Sequence, residues 1–510
     1  MVFSSHFFLF YFLPLALLLY YVAPRGWRMF VLTACSYLFY SWTNPWFAVL
    51  IAWATLVDFA CGNFISGHWR LPGVGPNESL PNGYVRAPRV QRRLFVTLSL
   101  ISNLGMLGFF KYIMFAEDNL NALLAAVGQD QFEILIVLLP AGISFYTFES
   151  ISYNLDICFG KARPASVWIY ESARAAGHST SGFLRRCWLE LRALNAFACY
   201  ITQFPHLVAG PIIRYQDLER QIHDRPHTSS KFARGVAFFA LGLAKKVLLA
   251  NPMGDIADAA FGAGPLSCID AWYGAVAYAF QLYFDFSGYS DMAIGLALML
   301  GFVFPKNFDS PYLADSITNF WQRWHISLSI WLRDYLYIPL GGNRLGEFRT
   351  YANLLTVMVL GGFWHGASWN FLIWGLINGG MLAGERLLGK DSPWHRAPLP
   401  LRIAITFAIT CVAWVFFRAK TLPLAWDYCQ SLLGLQVPQP GSALAGGVMY
   451  DPYHLLFFVI CALVAFRGVQ TWTFTRSLPP WKAALCLLLL SLSILALWTQ
   501  TANPFLYFQF

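Results

Sequence analysis

Long apolar runs recur from one end of this chain to the other, and they constrain its fold more than any other feature. A helix needs about 20 apolar residues to cross a bilayer, and many of the runs reach or approach that length. They lie at 6–24, 46–66, 94–116, 132–147, 235–250, 271–284, 287–304, 352–384, 401–417, 453–466 and 483–499. With 57% hydrophobic and only 12% charged residues, a soluble core does not account for them. The sequence predicts an all-α, polytopic membrane protein with roughly a dozen spans.

The basic residues between the runs predict the orientation. Arg25 and Arg28 follow the first run, whose length fits a retained span better than a signal peptide. The positive-inside rule therefore places the N-terminus outside the cytoplasm. The loop 67–93 carries five arginines and one acid, and 467–482 carries three basic residues and no acid. Both are predicted to face the cytoplasm and its anionic lipids, and one further span places the C-terminus outside.

One membrane domain over 1–510 is predicted, and several other classes of function are disfavoured. No internal repeat is visible, which argues against transporter folds built from duplicated halves. The ten cysteines show no CxxC spacing, and no nucleic-acid, metal or permanently bound cofactor motif is present. The segment 165–194 contains four arginines among aromatic residues and leucines. It is predicted to be a cytoplasmic amphipathic segment, either a surface helix that folding does not require or a functional lid.

The most polar stretch, NFWQRWHISLSIWLRDYLYIPLGGNR at 319–344, lies among these apolar runs. Drawn as one helix, 321–335 separates into an apolar sector and a polar stripe. The apolar sector holds Trp321, Trp324, Leu328, Trp331, Leu332 and Tyr335. The stripe holds Gln322, His325, Ser329 and Arg333, with Arg323, Ser327 and Asp334 beside it. Since a charge at mid-bilayer costs about 2.5–3.5 kcal/mol, the stripe is predicted to face a protein interior or an aqueous cavity. The alternative is an interfacial helix whose arginines reach the headgroups.

Two further polar features lie in apolar runs. From 350 to 384 there is no charged residue, yet His365 follows Trp364 in the middle, with glycines close by. It is either a core histidine or a group that transfers protons near neutral pH. Asp285 and Asp291 lie in or beside another run. Their carboxylates either cap a helix break or couple the transport of an ion.

Six segments carry a resemblance to a known family. They are FPHLVAGPIIRY at 204–215, GLAKKVLLAN at 242–251, FQLYFDFSGYSDMAIGLALMLGF at 280–302, SITNFWQRWHISLSIWLRDYLYIPLGGNR at 316–344, LGGFWHGASWNFLIWG at 360–375 and NPFLYFQF at 503–510. In these segments the chain resembles the membrane-bound O-acyltransferase family, and within it the bacterial alginate O-acetylation membrane proteins. The resemblance covers nearly the whole chain in order and departs at 165–194.

The resemblance implies a ring of helices around a central tunnel that carries an acyl group across the bacterial inner membrane. Acetyl-CoA would donate from the cytoplasm, and an acceptor would be reached from outside. His365 matches the family's catalytic histidine and would act as the base, while His325 would position the reactants or stabilise the oxyanion; the opposite assignment stays open. The residues expected to line the tunnel are Gln322, Arg323, Ser329, Arg333, Asp334, Trp364, Asp285 and Asp291.

The tail 503–510 has a single hydroxyl-bearing side chain, Tyr507. It is either an aromatic anchor at the outer interface or, by the resemblance, a carrier that receives the acyl group. A periplasmic SGNH hydrolase-like partner would then pass the group to a polysaccharide made by a synthase and export complex. Alginate is the first expectation for this polymer and bacterial cellulose the second. The competing class is a solute transporter or flippase with Asp285, Asp291 and Arg333 as coupling charges.

Overall fold

The computed structural model describes residues 1–510 except 82, 209, 390, 391, 440, 501–504 and 507–510. The α-helices in the described part are Leu13–Val22, Arg28–Ser41, Trp46–Ser66, Arg89–Ala126, Ile143–Phe159, Ala165–Ala175, Phe183–Thr202, Tyr215–His223, Ser229–Ala244, Asn251–Gly262, Cys268–Met299, Ile317–Arg323, Ile326–Leu332, Glu347–His365, Trp369–Leu388, Pro393–Arg396, Leu399–Arg418, Leu422–Leu432, Gly441–Met449, Pro452–Arg467, Thr471–Phe474 and Pro480–Thr499. Short π-helical segments lie at Phe8–Phe12, Lys245–Ala250 and Arg333–Tyr337, and a 3-10 turn at Pro311–Leu313. Glu78–Ser79 and Val85–Arg86 form a two-stranded antiparallel sheet.

The predicted all-α, polytopic membrane fold is confirmed, although fewer helices than predicted are long and apolar enough to span. Among the described residues four qualify by length and composition: Trp46–Ser66, Arg89–Ala126, Leu399–Arg418 and Pro480–Thr499. A fifth qualifies if Gly441–Met449 and Pro452–Arg467, bent by 64°, form one span. The difference from the predicted dozen arises because several apolar runs are interrupted or only partly helical. The ring around a central tunnel stays a prediction.

The chain forms two compact units. The first comprises 1–232 with 300–304, and the second comprises 233–299 with 305–510. That 1–510 act as one membrane domain stays a prediction. The first unit has a fully buried carboxylate, Asp58, which accepts hydrogen bonds from Ser99 Oγ at 2.6 Å and from the side-chain amides of Asn103 and Asn154 at 2.9 and 2.7 Å. These donors satisfy a charge that burial would otherwise make costly.

In the loop 67–93, the two strands bring arginines to its single acid. Arg92 and Arg86 contact Glu78 at 3.0 and 2.9 Å. Hydrogen bonds from Arg92 and Arg86 hold the pKa of Glu78 below its ordinary value. The stabilisation is therefore present above the ordinary pKa and is lost as the pH falls through the folded-state pKa.

The segment 165–194 packs more closely against the rest of the first unit than the sequence predicted. It forms the helix Ala165–Ala175 and the first part of Phe183–Thr202. Leu189 is fully buried, and Glu190 lies 2.9 Å from His68 and 3.3 Å from Ser166 Oγ. The opposite side of this segment is exposed, which agrees with an amphipathic helix. Its packing argues against the prediction that folding does not require the segment.

In the second unit, glycines allow two helices to approach closely. A Cβ at Gly242 would lie 2.5 Å from the carbonyl oxygen of Gly288, and one at Gly288 would lie 2.7 Å from that of Gly242. Gly235 and Gly295 face each other in the same way, both at 2.6 Å. Paired small residues of this kind bring helix backbones together in membrane proteins.

We expect Gly242→Val to destabilise the second unit by about 3 kcal/mol, because neither backbone can move without separating the helices. The matched control is Gly262→Val, since a Cβ at Gly262 meets nothing within 4 Å. Thermal unfolding of the purified protein in detergent measures the difference. Equal losses in the two variants would contradict the close-packing interpretation.

Candidate active site

The polar stretch 319–344 does not form the single helix on which its stripe was drawn. One helix ends at Arg323 and the next begins at Ile326. His325, between them, has φ 43° and ψ 54°. A non-glycine residue in this left-handed region is uncommon and is found at strained functional positions. Because the break changes the direction of every later side chain, the predicted continuous stripe is wrong, whereas most residues of the apolar sector are buried.

Asn307 holds this break in place. Its carbonyl oxygen accepts from the amide N–H of Ile326 at 2.9 Å. Its side-chain oxygen accepts from Ser327, at 3.3 Å from the amide and 2.9 Å from the hydroxyl. The side-chain nitrogen of Asn307 donates to Ser290 Oγ at 2.9 Å. Since a backbone N–H can only donate, these contacts fix which end of the Asn307 amide is oxygen.

The fully buried imidazole of His325 is oriented by the same oxygen. Nδ1 lies 3.2 Å from Asn307 Oδ1, so Nδ1 carries the proton and Nε2 presents its lone pair. Nε2 is buried and has no hydrogen-bond partner in the described part of the chain. A buried imidazole nitrogen in this state can accept a proton from a substrate hydroxyl.

His365 lies at the end of Glu347–His365 among aromatic rings. Its ring centroid is 4.9 Å from Trp364, 5.3 Å from Trp374 and 5.2 Å from Phe417, and the side chain is buried. The ring of Trp364 also lies 6.4 Å from His325. The structure therefore places both predicted catalytic histidines against one tryptophan, although 40 positions separate them in the sequence.

The other predicted tunnel residues of this stretch contact their own neighbours. Gln322 and Arg333 are exposed. Asn319 Nδ2 donates to Gln322 Oε1 at 3.4 Å, and Arg323 donates to Asn319 Oδ1 at 2.9 Å and to the Asp309 carbonyl at 3.2 Å. Ser329 Oγ donates to the Trp324 carbonyl at 3.5 Å, and Arg333 donates to Asp334 Oδ1 at 2.7 Å. These residues do not share one face with His325. Their predicted tunnel-lining role stays a prediction.

Both aspartates of the 280–302 segment are paired with lysines. Lys246 Nζ lies 2.7 Å from Asp285 Oδ1, and Lys245 Nζ lies 2.7 Å from Asp291 Oδ2. Thr471 also donates to Asp291 at 2.7 Å. The helix Cys268–Met299 is continuous, so the alternative of a helix break capped by these carboxylates is wrong. The sequence reasoning missed the two lysines as partners, and adjacent lysines within an apolar run were the available signal.

The described part of the C-terminal tail lies beside the same helix. Phe505 and Leu506 are buried. Phe505 stacks on Tyr289 with ring centroids 4.3 Å apart, and the amide of Leu506 donates to Asp285 Oδ2 at 2.8 Å. Phe286 is 6.4 Å from Phe505 and 4.7 Å from His325, ring to ring. The tail is thus one aromatic ring away from His325, whereas Tyr507 lies outside the described residues.

Comparisons with known proteins show which proteins this chain is similar to. Residues 184–425 match the model of the membrane-bound O-acyltransferase family. A protein of Azotobacter vinelandii named "Probable alginate O-acetylase AlgI" is 41% identical over the whole of both chains. A peptidoglycan O-acetyltransferase of Helicobacter pylori is 33% identical over 100% of this chain and 98% of its own. A teichoic acid D-alanyltransferase of Streptococcus thermophilus is 30% identical over 34% of this chain and 46% of its own.

The chain belongs to the membrane-bound O-acyltransferase family. It is an acyltransferase and a multi-pass membrane protein, and the resemblance to the alginate O-acetylation branch is confirmed. Among the described residues, no three His, Cys, Asp or Glu side chains are grouped so that they could hold a metal ion.

We expect His325→Ala to lower acyl transfer by about 100-fold or more, because a positioned acid or base contributes that much to proton transfer. Asn307→Ala should lower it less, since it removes only the group that orients the ring. The control is Ser493→Ala, because Ser493 is a buried serine outside the predicted site and its hydroxyl donates to the Leu489 carbonyl at 2.7 Å. Transfer of labelled acetyl groups by the purified variants measures the effect. Full activity in His325→Ala would contradict a role for its Nε2.

Proposed function

We propose that this protein is an O-acetyltransferase of the bacterial inner membrane. It takes acetyl from cytoplasmic acetyl-CoA and passes it outward for O-acetylation of an exopolysaccharide. The observation that carries the proposal is the buried Nε2 of His325, which no described residue hydrogen-bonds and which lies beside Trp364, a ring that also contacts His365. The two imidazoles thus share contact with one tryptophan ring. Two imidazoles placed in this way suit a reaction that needs both a proton acceptor and a group that stabilises negative charge.

In this mechanism one imidazole takes the proton of the acceptor hydroxyl as its oxygen attacks the thioester carbonyl. The second imidazole steadies the oxyanion that forms. The carbon–sulfur bond then breaks, and the thiolate leaves with the proton from the imidazolium. The family resemblance favours His365 as the base. The Nδ1 contact of His325 with Asn307 favours His325 for that role, so the pH-dependence of each histidine variant decides between the two.

The polymer we propose first is alginate. Relatives that are 38–41% identical over most or all of the chain are named for alginate O-acetylation. Bacterial cellulose is the second candidate by the family resemblance, and peptidoglycan is the substrate in the name of the Helicobacter pylori relative. The O-acetyl content of each polymer in a deletion strain, with and without the restored gene, identifies the substrate. An unchanged content in all of them would contradict the proposal.

We propose that the acetyl group leaves the protein through its C-terminal tail to a periplasmic SGNH hydrolase-like partner near the polysaccharide synthase and export complex. Burial of Phe505 and the bond from Leu506 to Asp285 support this route, because they bring the tail near His325. Both termini would then be extracytoplasmic. Labelling of single cysteines near the termini with an impermeant reagent in intact cells tests this orientation.

The competing transporter function is not favoured by the two aspartates. Each carboxylate is neutralised by a lysine at 2.7 Å, and Arg333, the third proposed coupling charge, is exposed and pairs with Asp334. Purified protein supplied with labelled acetyl-CoA separates the two functions. Transfer of label without any solute gradient supports the enzyme, and gradient-dependent movement of solute without transfer supports the transporter.

A further inference from the structure

The first unit contains a cavity of about 620 Å³, and none of the candidate catalytic residues line it. Four parts of the chain line it: the turn between the first two α-helices with its flanking residues, the helix Ala165–Ala175, the helix Phe183–Thr202, and the end of Tyr215–His223 with the loop after it. Its basic side chains are Arg25, Arg28, Arg192, His223, Arg225 and His227. Asp224 is the single acid among the lining residues. Four permanently charged guanidinium groups therefore face one carboxylate.

Two arginines of this cavity, Arg225 and Arg28, are held by neutral groups. Arg225 donates to Tyr20 Oη at 2.9 Å and to the Leu300 carbonyl at 3.3 Å, and lies over the ring of Phe302 at 4.2 Å. Arg28 donates to the Ala23 carbonyl at 3.3 Å. Among the described ion pairs, none involves Arg25, Arg28, Arg192 or Arg225. Oxygen atoms of carbonyl and hydroxyl groups thus orient the guanidinium groups of Arg225 and Arg28 without neutralising their charge.

Burial, and after it the positive charge of the cavity, lowers the pKa of both its histidines. Burial, and then the charges of Arg192 and Arg225, lower the pKa of His223 to about 4. Burial followed by Arg225, Arg28 and Lys231 lowers the pKa of His227. In addition, Nε2 of His223 is buried and has no hydrogen-bond partner in the described part of the chain. The cavity thus contains arginine charges that no described acid pairs with, and a buried imidazole nitrogen, Nε2 of His223, that no described group hydrogen-bonds.

We propose that this cavity binds the phosphate group of a larger molecule. Guanidinium groups match phosphate oxygens in charge and geometry. The volume is far larger than a phosphate ion and within the range of small-molecule sites, about 300–1,000 Å³. Two sources supply such a group. One is the nucleotide part of coenzyme A, which rests on the proposed acetyl-CoA donor, and the other is an anionic phospholipid headgroup.

The test compares two double variants that remove the same charge. Arg25 and Arg192 are exposed and line the cavity, so Arg25→Gln with Arg192→Gln should not disturb the fold. Arg185→Gln with Arg186→Gln is the control, because these arginines lie on the same helix as Arg192 and do not line the cavity. Binding of adenosine 3′,5′-bisphosphate is measured by calorimetry on full-length protein in phosphatidylcholine nanodiscs. Retention of phosphatidylglycerol is measured by native mass spectrometry from mixed nanodiscs.

We expect the cavity double variant to weaken binding of one probe by about tenfold or more, as the loss of charged hydrogen bonds predicts, and the control to change it less than about twofold. Binding of the bisphosphate identifies a soluble nucleotide source, and binding of the phospholipid alone identifies a headgroup. Failure of the wild-type protein to bind either probe, or equal losses in the two double variants, would overturn the proposal. Because neither readout requires acyl transfer, the His325→Ala protein should bind as the wild type does, which separates this site from the proposed function.

Discussion

His365→Ala should abolish acetyl transfer, with a loss of at least about 100-fold, while the chain still inserts into the membrane. The family resemblance implies that His365 is the catalytic base, and its ring is buried among Trp364, Trp374 and Phe417. Water cannot replace the lost imidazole in such an environment without leaving the aromatic contacts unfilled. Transfer of label from acetyl-CoA by the purified variant measures the loss.

Removal of a buried ring also creates a cavity, so a folding defect must be separated from a chemical one. His365→Gln keeps most of the side-chain volume and a hydrogen-bonding group but cannot exchange a proton near neutral pH. We expect it to be nearly as inactive as His365→Ala and to unfold closer to the wild-type temperature. His178→Ala, at an exposed histidine, is the control. Near-normal transfer in both His365 variants would show that this histidine is not catalytic.

Tyr507→Phe should eliminate acetylation of the polymer. The change keeps the aromatic surface of the tail and removes one hydroxyl, so an interfacial anchor would tolerate it and an acyl carrier would not. The buried Phe505 and the bond from Leu506 to Asp285 hold the residues just before Tyr507 in the sequence beside the active-site helix. A phenol ester is an activated ester, which makes onward transfer to a partner's hydroxyl favourable. The O-acetyl content of the polymer in a complemented deletion strain measures the outcome.

Two observations would decide between carrier and anchor. Mass spectrometry of the wild-type protein incubated with labelled acetyl-CoA should find the label on Tyr507, and the label should be absent in His365→Ala. Tyr450→Phe, at an exposed tyrosine elsewhere in the second unit, should acetylate the polymer normally. Acetylation at the wild-type level in Tyr507→Phe would show that Tyr507 is not an acyl carrier and would favour the anchor interpretation of the tail.

The sequence predicted the fold class correctly and drew attention to the two histidines, whose catalytic role stays a prediction, because both features depend on local information. Apolar runs can be recognised directly in the sequence, and a single histidine in a run without charged residues is easy to see. The predicted polar stripe failed because a helical projection assumes one continuous helix. The backbone reverses its handedness at His325, and the group that stabilises this break, Asn307, lies 18 positions away.

The lysine partners of the two aspartates could not be predicted from the sequence, for a related reason. The sequence showed Asp285 and Asp291 as isolated acids, and transport was therefore a reasonable interpretation. Their partners are on another helix, with 46 positions between Lys245 and Asp291. The close approach that the pairs Gly242–Gly288 and Gly235–Gly295 allow brings those helices together, and no local pattern in the sequence specifies which residues such a crossing pairs.

At position 325 the left-handed backbone favours glycine for stability, whereas the proposed reaction requires the histidine side chain. Glycine adopts this conformation readily, whereas an L-residue in it carries a strain of roughly 1–2 kcal/mol. Directed evolution that selects only for heat resistance would therefore tend to recover glycine at 325 and lose the imidazole with it. Thermal tolerance is a misleading guide to useful variants in this part of the chain, and libraries built on this scaffold should keep position 325 fixed.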